Sequence, residues 1–452
     1  MNTAPDSTAD GSLLYRLLRK VIDVQPEEVS SLAWSWLYFF CVLSAYYVIR
    51  PIRDEMGVAG GVNNLPWLFT GTMVGMMLVN PFFGALVARL PRLKFVTVTY
   101  RFFILNLLIF FVLLKVATGA GNIWVGRVFY IWTAVFNLFV VSVFWAFMAD
   151  AFTRTQGKRL FGFIAAGGTL GGIAGSSLTT SLVGAIGPTY LLLVSGLLLE
   201  VAVFSVRNLS RLSEALRVKK GLAQQEHVIG GSMLAGITHA IKSPYLLNIS
   251  VYMLLFTILS TFLYFQQASI VDRMFTERAA RTAFFGQIDL LVNILTLGVQ
   301  LFLTGRVMKM LGVALTLTLL PALSVAGFIA LGMLPTVAVI IGFQTLRRAG
   351  NYAIARPARE VLFTVLPRED RYKAKSFIDT FVYRAGDQIG AWSWALMGVF
   401  GLGIVGVSFV AAPISLIWLF NGLWLGRKQE QIAAQSAPAT ASAVPENMAA
   451  TR

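Results

Sequence analysis

A row of arginines inside an apolar stretch is the part of this sequence best suited to chemistry. Within 335–365, one series recurs at spacings of four, four and three positions: Arg348, Tyr352, Arg356 and Arg359. This spacing places the four side chains along one face of an α-helix. Because an arginine is costly to bury among apolar residues, the face is expected to line a water-filled cavity or to meet carboxylates. Guanidinium groups bind phosphate and carboxylate oxygens bidentately, so the expected ligand is an anion.

A second charged group interrupts the first long apolar stretch, where Arg50, Arg53 and Asp54 lie within ten residues of its end. Further charged residues lie in or at the end of other apolar stretches: Asp150, Glu360, Asp379, Arg384 and Asp387. The arginines predicted to neutralise the substrate are the deepest ones: Arg50, Arg348 and Arg356. The carboxylates predicted to pair with arginines when the site is empty are Asp54, Glu360, Asp379 and Asp387.

The same charges also have a purely structural interpretation. Internal ion pairs can hold helices together, and arginines near helix ends, such as Arg53 and Arg359, can extend to the membrane surface. The deeper arginines outnumber the nearby carboxylates, which favours a cavity over internal pairing. An excess of fixed positive charge in a cavity predicts an anionic substrate.

Composition determines which elements must position these residues. Of the 452 residues, 57% are apolar or aromatic and only 13% are charged, whereas soluble proteins are near one quarter charged. The apolar residues suffice for roughly 12 membrane-spanning helices of ~20 residues each. This composition excludes a secreted enzyme, a disulfide scaffold and a coiled coil. The single cysteine, Cys41, is expected to be a small buried side chain.

Twelve apolar stretches can be counted along the chain. They lie at 31–56, 66–88, 95–117, 122–152, 160–185, 187–205, 244–270, 284–304, 311–333, 335–365, 376–399 and 401–425. Lysine and arginine are concentrated in alternate connecting loops, and the positive-inside rule assigns those loops and both chain ends to the cytoplasm. The net charge of +16 is therefore attributed to membrane topology and an anion pathway, and not to nucleic-acid binding.

The polar stretch 206–243 divides the apolar stretches six and six, as in a transporter built from two halves. We predict a cytoplasmic N-terminal segment with an amphipathic helix at 1–30, six-helix halves at 31–205 and 244–425, and a cytoplasmic central loop at 206–243. The tail 426–452 is predicted to be disordered and cytoplasmic. Substrate is expected near the midplane, where the first, fourth, seventh and tenth stretches face one another.

Motifs for other kinds of chemistry are missing from the sequence. No GxxxxGK[ST] motif is present, and the GxGxxG at Gly401, Gly403 and Gly406 has no strand–turn–helix context. His227 and His239 lack a third metal ligand, and no nucleophile–base spacing occurs. We therefore expect a protein that is not an enzyme and needs no metal and no cofactor.

Three segments resemble the ATP/ADP exchanger type of nucleotide translocase found in plastids and intracellular bacteria. The segment YYVIRPIRD matches the family's L-R-x-x-K-D through Arg50 and Asp54. A second segment, FWAFMADAFTRTQGKRLFGFIAAGG, matches around Lys158, although Gln156 stands where an acidic residue is usual. The third is the most specific and reads YAIARPAREVLFTVLPREDRYKAKSFID. Its matches include Tyr352, Glu360, Lys375 and Asp379.

This resemblance implies an all-α polytopic protein of about twelve transmembrane helices, related to the major facilitator superfamily. It also implies antiport of nucleotides such as ATP and ADP across the bacterial inner membrane. Arg53 and Arg359 would contact the phosphates. Tyrosines near the site could stack on a base: Tyr46, Tyr47 and Tyr352.

We therefore expect a secondary transporter of an anionic, phosphorylated substrate that works by alternating access. Its expected partners are that small anion and the lipid bilayer, with no nucleic acid and no obligate protein partner. One alternative is a proton-coupled carrier of organic anions or drugs, with Asp54 or Glu360 as the protonation site. Another is a non-transporting membrane scaffold that holds a soluble partner through 206–243. The sequence does not identify the anion.

Overall fold

The computed structural model describes residues 15, 22–89, 92–220, 243–366, 374, 375 and 377–436, and these are almost entirely helical. The first half of the chain contains α1 (Val29–Ala59), α2 (Leu65–Arg89), α3 (Arg92–Val116), α4 (Ala120–Ala151), α5 (Arg154–Ile186) and α6 (Leu191–Lys220). The second contains α7 (Pro244–Met274), α8 (Arg278–Phe302), α9 (Thr304–Met333), α10 (Val337–Gly350), α11 (Arg356–Leu362), α12 (Tyr383–Val399) and α13 (Ile404–Ser436).

Every predicted apolar stretch coincides with helix, which confirms the all-α polytopic fold class. Among the described residues, nine helices are long and apolar enough to cross a membrane. Three predicted stretches are not among these nine: 66–88, 335–365 and 376–399. The last two are interrupted by π-helical turns. One turn, Asn351–Ala355, joins α10 to α11, and the other, Ile378–Val382, precedes α12. Turns of this type often mark functional sites within helices.

Two helices extend into segments that were predicted to be loop or tail. Helix α6 continues to Lys220, into the predicted central loop, and α13 continues to Ser436, into the predicted disordered tail. The extension of α13 is held by Glu430, whose Oε1 accepts hydrogen bonds from the backbone N–H groups of Val313 and Ala314 at 3.1 and 3.2 Å. Most of the predicted N-terminal amphipathic helix and the rest of the central loop and tail lie outside the described residues.

Buried apolar side chains form two clusters. One comes from α1 to α6 and the segment before them, and the other mainly from α7 to α13. The second cluster also includes Leu65, Leu68 and Tyr130 from the first half of the chain. The division into two six-helix halves stays a prediction, and the two clusters are compatible with it.

A glycine ridge on α5 brings that helix against α1. An added Cβ at Gly171 would lie 2.3 Å from the carbonyl oxygen of Phe40, and one at Gly175 would lie 2.4 Å from that of Ser44. The Ser44 hydroxyl donates to the carbonyl oxygen of Gly171 at 3.0 Å. Small residues allow this close approach. The contact fixes α1, which carries Arg50 and Arg53, within the bundle.

Candidate functional site

Two cavities lie between helices from the two halves of the chain. The first, of about 200 Å³ and called here the Asp289 cavity, is lined among others by Arg50, Arg347, Arg348, Asp289 and Tyr352. The second, of about 260 Å³ and called the Arg53 cavity, is lined among others by Tyr46, Arg53, Tyr130 and Arg384. Both linings include Phe69, Tyr383 and Asp387, so the cavities adjoin.

Asp289 lies between two arginines that the chain brings from opposite halves. Its Oδ1 is 3.1 Å from Nη1 of Arg50 on α1 and 2.7 Å from Nη2 of Arg348 on α10. The Asp289 side chain is only 2% exposed, and the two arginine side chains are 17% and 15% exposed. One buried carboxylate is therefore shared by two guanidinium groups. Its contact with Arg50 joins the two halves of the chain.

Sequence reasoning did not select Asp289. The residue lies in α8, within the apolar stretch 284–304. An isolated carboxylate in such a stretch is the signal that marks an intramembrane functional residue. That signal is present in the sequence and could have identified Asp289. Three carboxylates that were predicted to pair with the arginines of the site have partners other than Arg50 and Arg348: Asp54, Glu360 and Asp387. The fourth, Asp379, is exposed.

A ring of three hydrogen bonds and one ion pair in and beside the Arg53 cavity crosses between the halves. Arg53 Nη2 donates to the Tyr130 hydroxyl at 3.0 Å, and that hydroxyl donates to the hydroxyl of Tyr264 on α7 at 3.2 Å. The Tyr264 hydroxyl in turn donates to Oδ1 of Asp54 at 3.0 Å. Asp54 Oδ1 also lies 3.4 Å from Nε of Arg53, which completes the ring.

Further contacts join the two halves of the chain at the same end of the bundle, where α1 ends and α2 begins. Arg278, the first residue of α8, donates to both carboxylate oxygens of Glu55 at 3.1 and 3.2 Å. The Glu55 side chain is fully buried. Thr70 on α2 donates to the side-chain oxygen of Gln388 on α12 at 2.9 Å. At the other end, the ion pair of Arg159 with Glu28, at 2.9 Å, lies within the first half.

The predicted common face of Arg348, Tyr352, Arg356 and Arg359 is only partly present. Arg348 and Tyr352 line the Asp289 cavity, whereas Arg356 is exposed and lines neither cavity. Arg359 contacts the Met253 sulfur at 2.6 Å, and its guanidinium lies 5.2 Å from the centre of the Phe256 ring. The π-helical turn at Asn351–Ala355 accounts for the difference. A turn of that kind has more residues than the 3.6 of an α-helix, so it rotates the residues that follow it.

The remaining predicted residues fall into two groups. Arg384 and Asp387 pair at 3.2 Å and both line the Arg53 cavity. Three others line neither cavity: Asp150, Glu360 and Asp379. Among the described residues, Glu360 forms its ion pair with Lys375. Asp379 is exposed, and Asp150 lies in the last turn of α4. Of the tyrosines, Tyr46 lines the Arg53 cavity, and the Tyr47 ring centre lies 5.8 Å from the Arg50 guanidinium.

The charges of the two linings favour an anion. Together they include five arginines and three aspartates, a net charge of +2, whereas the Asp289 cavity alone has three of each. Within the described residues, no group of three or more His, Cys, Asp or Glu side chains is arranged to hold a metal ion. The arrangement can therefore attract a negatively charged molecule and contact it from both halves of the chain.

Comparisons with solved structures agree with the fold. The chain is similar to the POT family transporter PepTSo (TM-score 0.60, 13% identity, covering 89% of this chain and 98% of that one). It is also similar to an inward-facing bacterial homologue of the iron transporter ferroportin (TM-score 0.59, 16% identity, 90% and 99% covered). A third similar structure is a POT family transporter in complex with 5-aminolevulinic acid (TM-score 0.59, 10% identity, 87% and 96% covered).

These likenesses establish the fold, which is polytopic, all-α and similar to that of the major facilitators. No protein-family model matches the chain, and no curated protein matches its sequence. The resemblance to ATP/ADP exchangers is therefore not confirmed.

Proposed function

We propose that this protein is a secondary membrane transporter that carries a small organic anion by alternating access. The observation that supports this most directly is the single carboxylate of Asp289 between Arg50 and Arg348. A substrate carboxylate or phosphate has the same chemistry as the Asp289 side chain and can compete with it for both arginines. Binding would then change a contact that joins the two halves, which is the step that alternating access requires.

Nucleotide exchange, the finer hypothesis from the resemblance, receives no support from the comparisons. Neither Arg356 nor Arg359 lines the cavities, although both were expected to contact phosphates. The alternative of a carrier for organic anions is better supported. If the transport is coupled to protons, Asp54 is the better candidate of the two carboxylates named for that role. It lines the Asp289 cavity, whereas Glu360 pairs with Lys375 elsewhere.

Counterflow in proteoliposomes tests the proposed function. Liposomes loaded with unlabelled succinate are expected to accumulate labelled succinate well above protein-free liposomes, and Arg50→Ala is expected to lower this at least about tenfold. Arg101→Gln is a matched control, because Arg101 forms an exposed ion pair with Glu200 away from the cavities. An imposed pH gradient tests the proton-coupled alternative. Labelled ADP in place of succinate tests the nucleotide alternative. Failure of every labelled anion to accumulate would favour the scaffold and end the transport proposal.

We further propose that the protein lies in a bacterial inner membrane with both termini in the cytoplasm, as the loop charges indicate. The end closed by Glu55 and Arg278 would then face outward. In a Cys41→Ser background, a cysteine at Asn63 is expected to react with an impermeant thiol reagent in intact cells. A cysteine at Gly305 is expected to react only after the membrane is permeabilised. Both positions are exposed, and a side chain at Gly305 meets open space. The reverse labelling pattern would invert the topology.

A further inference from the structure

Arg347 is a buried cation to which sequence reasoning gave no role. The residue is 2% exposed and lines the Asp289 cavity. Its guanidinium donates to neutral groups: the hydroxyls of Ser324 and Ser260, at 3.1 and 2.8 Å, and the carbonyl oxygen of Phe256 at 3.2 Å. Within the part of the chain that the structure describes, no carboxylate forms an ion pair with it. A buried charge without a counter-charge is costly, so an anion bound in the cavity would relieve that cost.

The same cavity also presents hydrogen-bond acceptors that lack donors. Oδ2 of Asp289 is buried and has no hydrogen-bond partner among the residues that the structure describes, while Oδ1 of the same side chain takes both arginine contacts. Oδ1 of Asn351, which also lines the cavity, is buried without a partner as well. Buried acceptors normally find a donor. A water molecule can supply a donor to these oxygens, but it cannot supply the negative charge that Arg347 lacks.

We propose that the Asp289 cavity selects small anions that also carry an amino or hydroxyl group. The acidic group would bind Arg347, which has five N–H donors and uses three of them on Ser324, Ser260 and Phe256. The N–H or O–H donor of the anion would bind Oδ2 of Asp289. This inference rests on the proposed function and narrows its substrate class. In this proposal, two residues of one cavity have different roles. Arg347 supplies affinity for the charge, and Asp289 distinguishes anions that have a donor from anions that have none.

Three C4 dicarboxylates that differ in one substituent test this selection: succinate, L-malate and L-aspartate. Their dissociation constants are to be measured by titration calorimetry with the purified, detergent-solubilised protein. Malate and aspartate are expected to bind about tenfold more tightly than succinate, because a hydrogen bond to a buried carboxylate is worth about that factor. In Asp289→Asn, one side-chain oxygen is replaced by a donor. The ratio between the substituted anions and succinate is therefore expected to fall towards one.

Arg347 is tested with two variants that differ in how far they disturb packing. Arg347→Gln is expected to weaken the binding of all three anions at least about tenfold, without changing their order. Ser260→Ala keeps the arginine but removes the hydroxyl that accepts from its Nη1, and it is expected to weaken all three severalfold because the guanidinium is held less firmly. It gives the answer if Arg347→Gln does not fold. Arg101→Gln is the control for the loss of a positive charge elsewhere.

The outcomes separate this inference from the proposed function. Equal affinities for the three anions in the unaltered protein would overturn the selection by Asp289 while leaving anion transport in place. Unchanged affinities in both Ser260→Ala and a folded Arg347→Gln would overturn the role of Arg347. No binding of any of the three, together with no succinate counterflow, would overturn the inference and the proposed function together.

Discussion

Asp289→Asn is expected to raise the affinity for succinate about tenfold or more and to slow its exchange. The amide preserves the shape of the side chain but removes the negative charge between Arg50 and Arg348. Removing one partner of a buried ion pair costs about 3–5 kcal/mol. An anion that binds between the two arginines recovers part of this free energy, so it binds more tightly. Its release leaves both arginines without a counter-charge, so release becomes slow.

Two measurements in the same variant check this expectation. Without succinate, the unfolding temperature of Asp289→Asn is expected to lie below that of the unaltered protein, and succinate is expected to raise it by a larger increment. The initial rate of succinate counterflow is expected to fall. Glu200→Gln is the control, because it removes the carboxylate of the ion pair with Arg101, in which both side chains are about half exposed. Unchanged affinity and rate in Asp289→Asn would show that Asp289 does not compete with the substrate.

Arg278→Gln is expected to shift the protein towards a state that is open at the end where α1 meets α8. Glu55 is fully buried, and both of its carboxylate oxygens accept hydrogen bonds from Arg278 of the opposite half. Without Arg278, this buried charge is unpaired in the closed arrangement, which costs about 3–5 kcal/mol. Opening lets water reach the carboxylate and lowers that cost. Because 1.4 kcal/mol corresponds to a factor of ten, the open population should increase by at least about tenfold.

The open population can be followed with a cysteine at Asn137, which lines the Arg53 cavity. In a Cys41→Ser background, an impermeant thiol reagent added outside the cell is expected to label this cysteine at least about tenfold faster when Arg278 is replaced by Gln. The double variant Glu55→Gln with Arg278→Gln removes the unpaired charge as well. It is therefore expected to label more slowly than the single variant. Equal labelling rates with and without Arg278 would mean that this ion pair does not hold the bundle closed.

Several features of the site can be predicted from short stretches of sequence, because they depend on the free-energy cost of placing a charge in an apolar helix. Arg50 and Arg348 stand out as charges within apolar stretches, and the structure places both around one cavity. The excess of arginine over carboxylate likewise points to an anion before any contact is known. Asp289 carries the same signal as Arg50, because it is a single charge within the apolar stretch 284–304. Arg347 adjoins Arg348 in sequence, yet its burial without an ion-paired carboxylate from the described part of the chain is visible only in three dimensions.

The arrangement of pairs required the tertiary structure. Which carboxylate meets Arg50 depends on how α1 and α8 face one another: Asp289 meets it, although Asp54 is nearer in the sequence. Asp54 is bound by Tyr264 of the opposite half, a contact that no local pattern indicates. Similarly, Glu360 lies one position after Arg359, but the fold pairs it with Lys375. Such pairings depend on the relative rotation of helices that lie far apart in the chain.

The amino-acid sequence alone determined that this is a polytopic helical membrane protein with costly positive charge inside its helices. Apolar length and the energetic cost of a buried arginine are properties of short segments, so they can be read directly. The tertiary structure decided which charges share a cavity and which face away. The π-helical turn at Asn351–Ala355 separates Arg348 and Tyr352 from Arg356, although regular helical spacing would align them. A helix departs from regular geometry when packing against its neighbours outweighs local preference, and that balance exists only in the folded bundle.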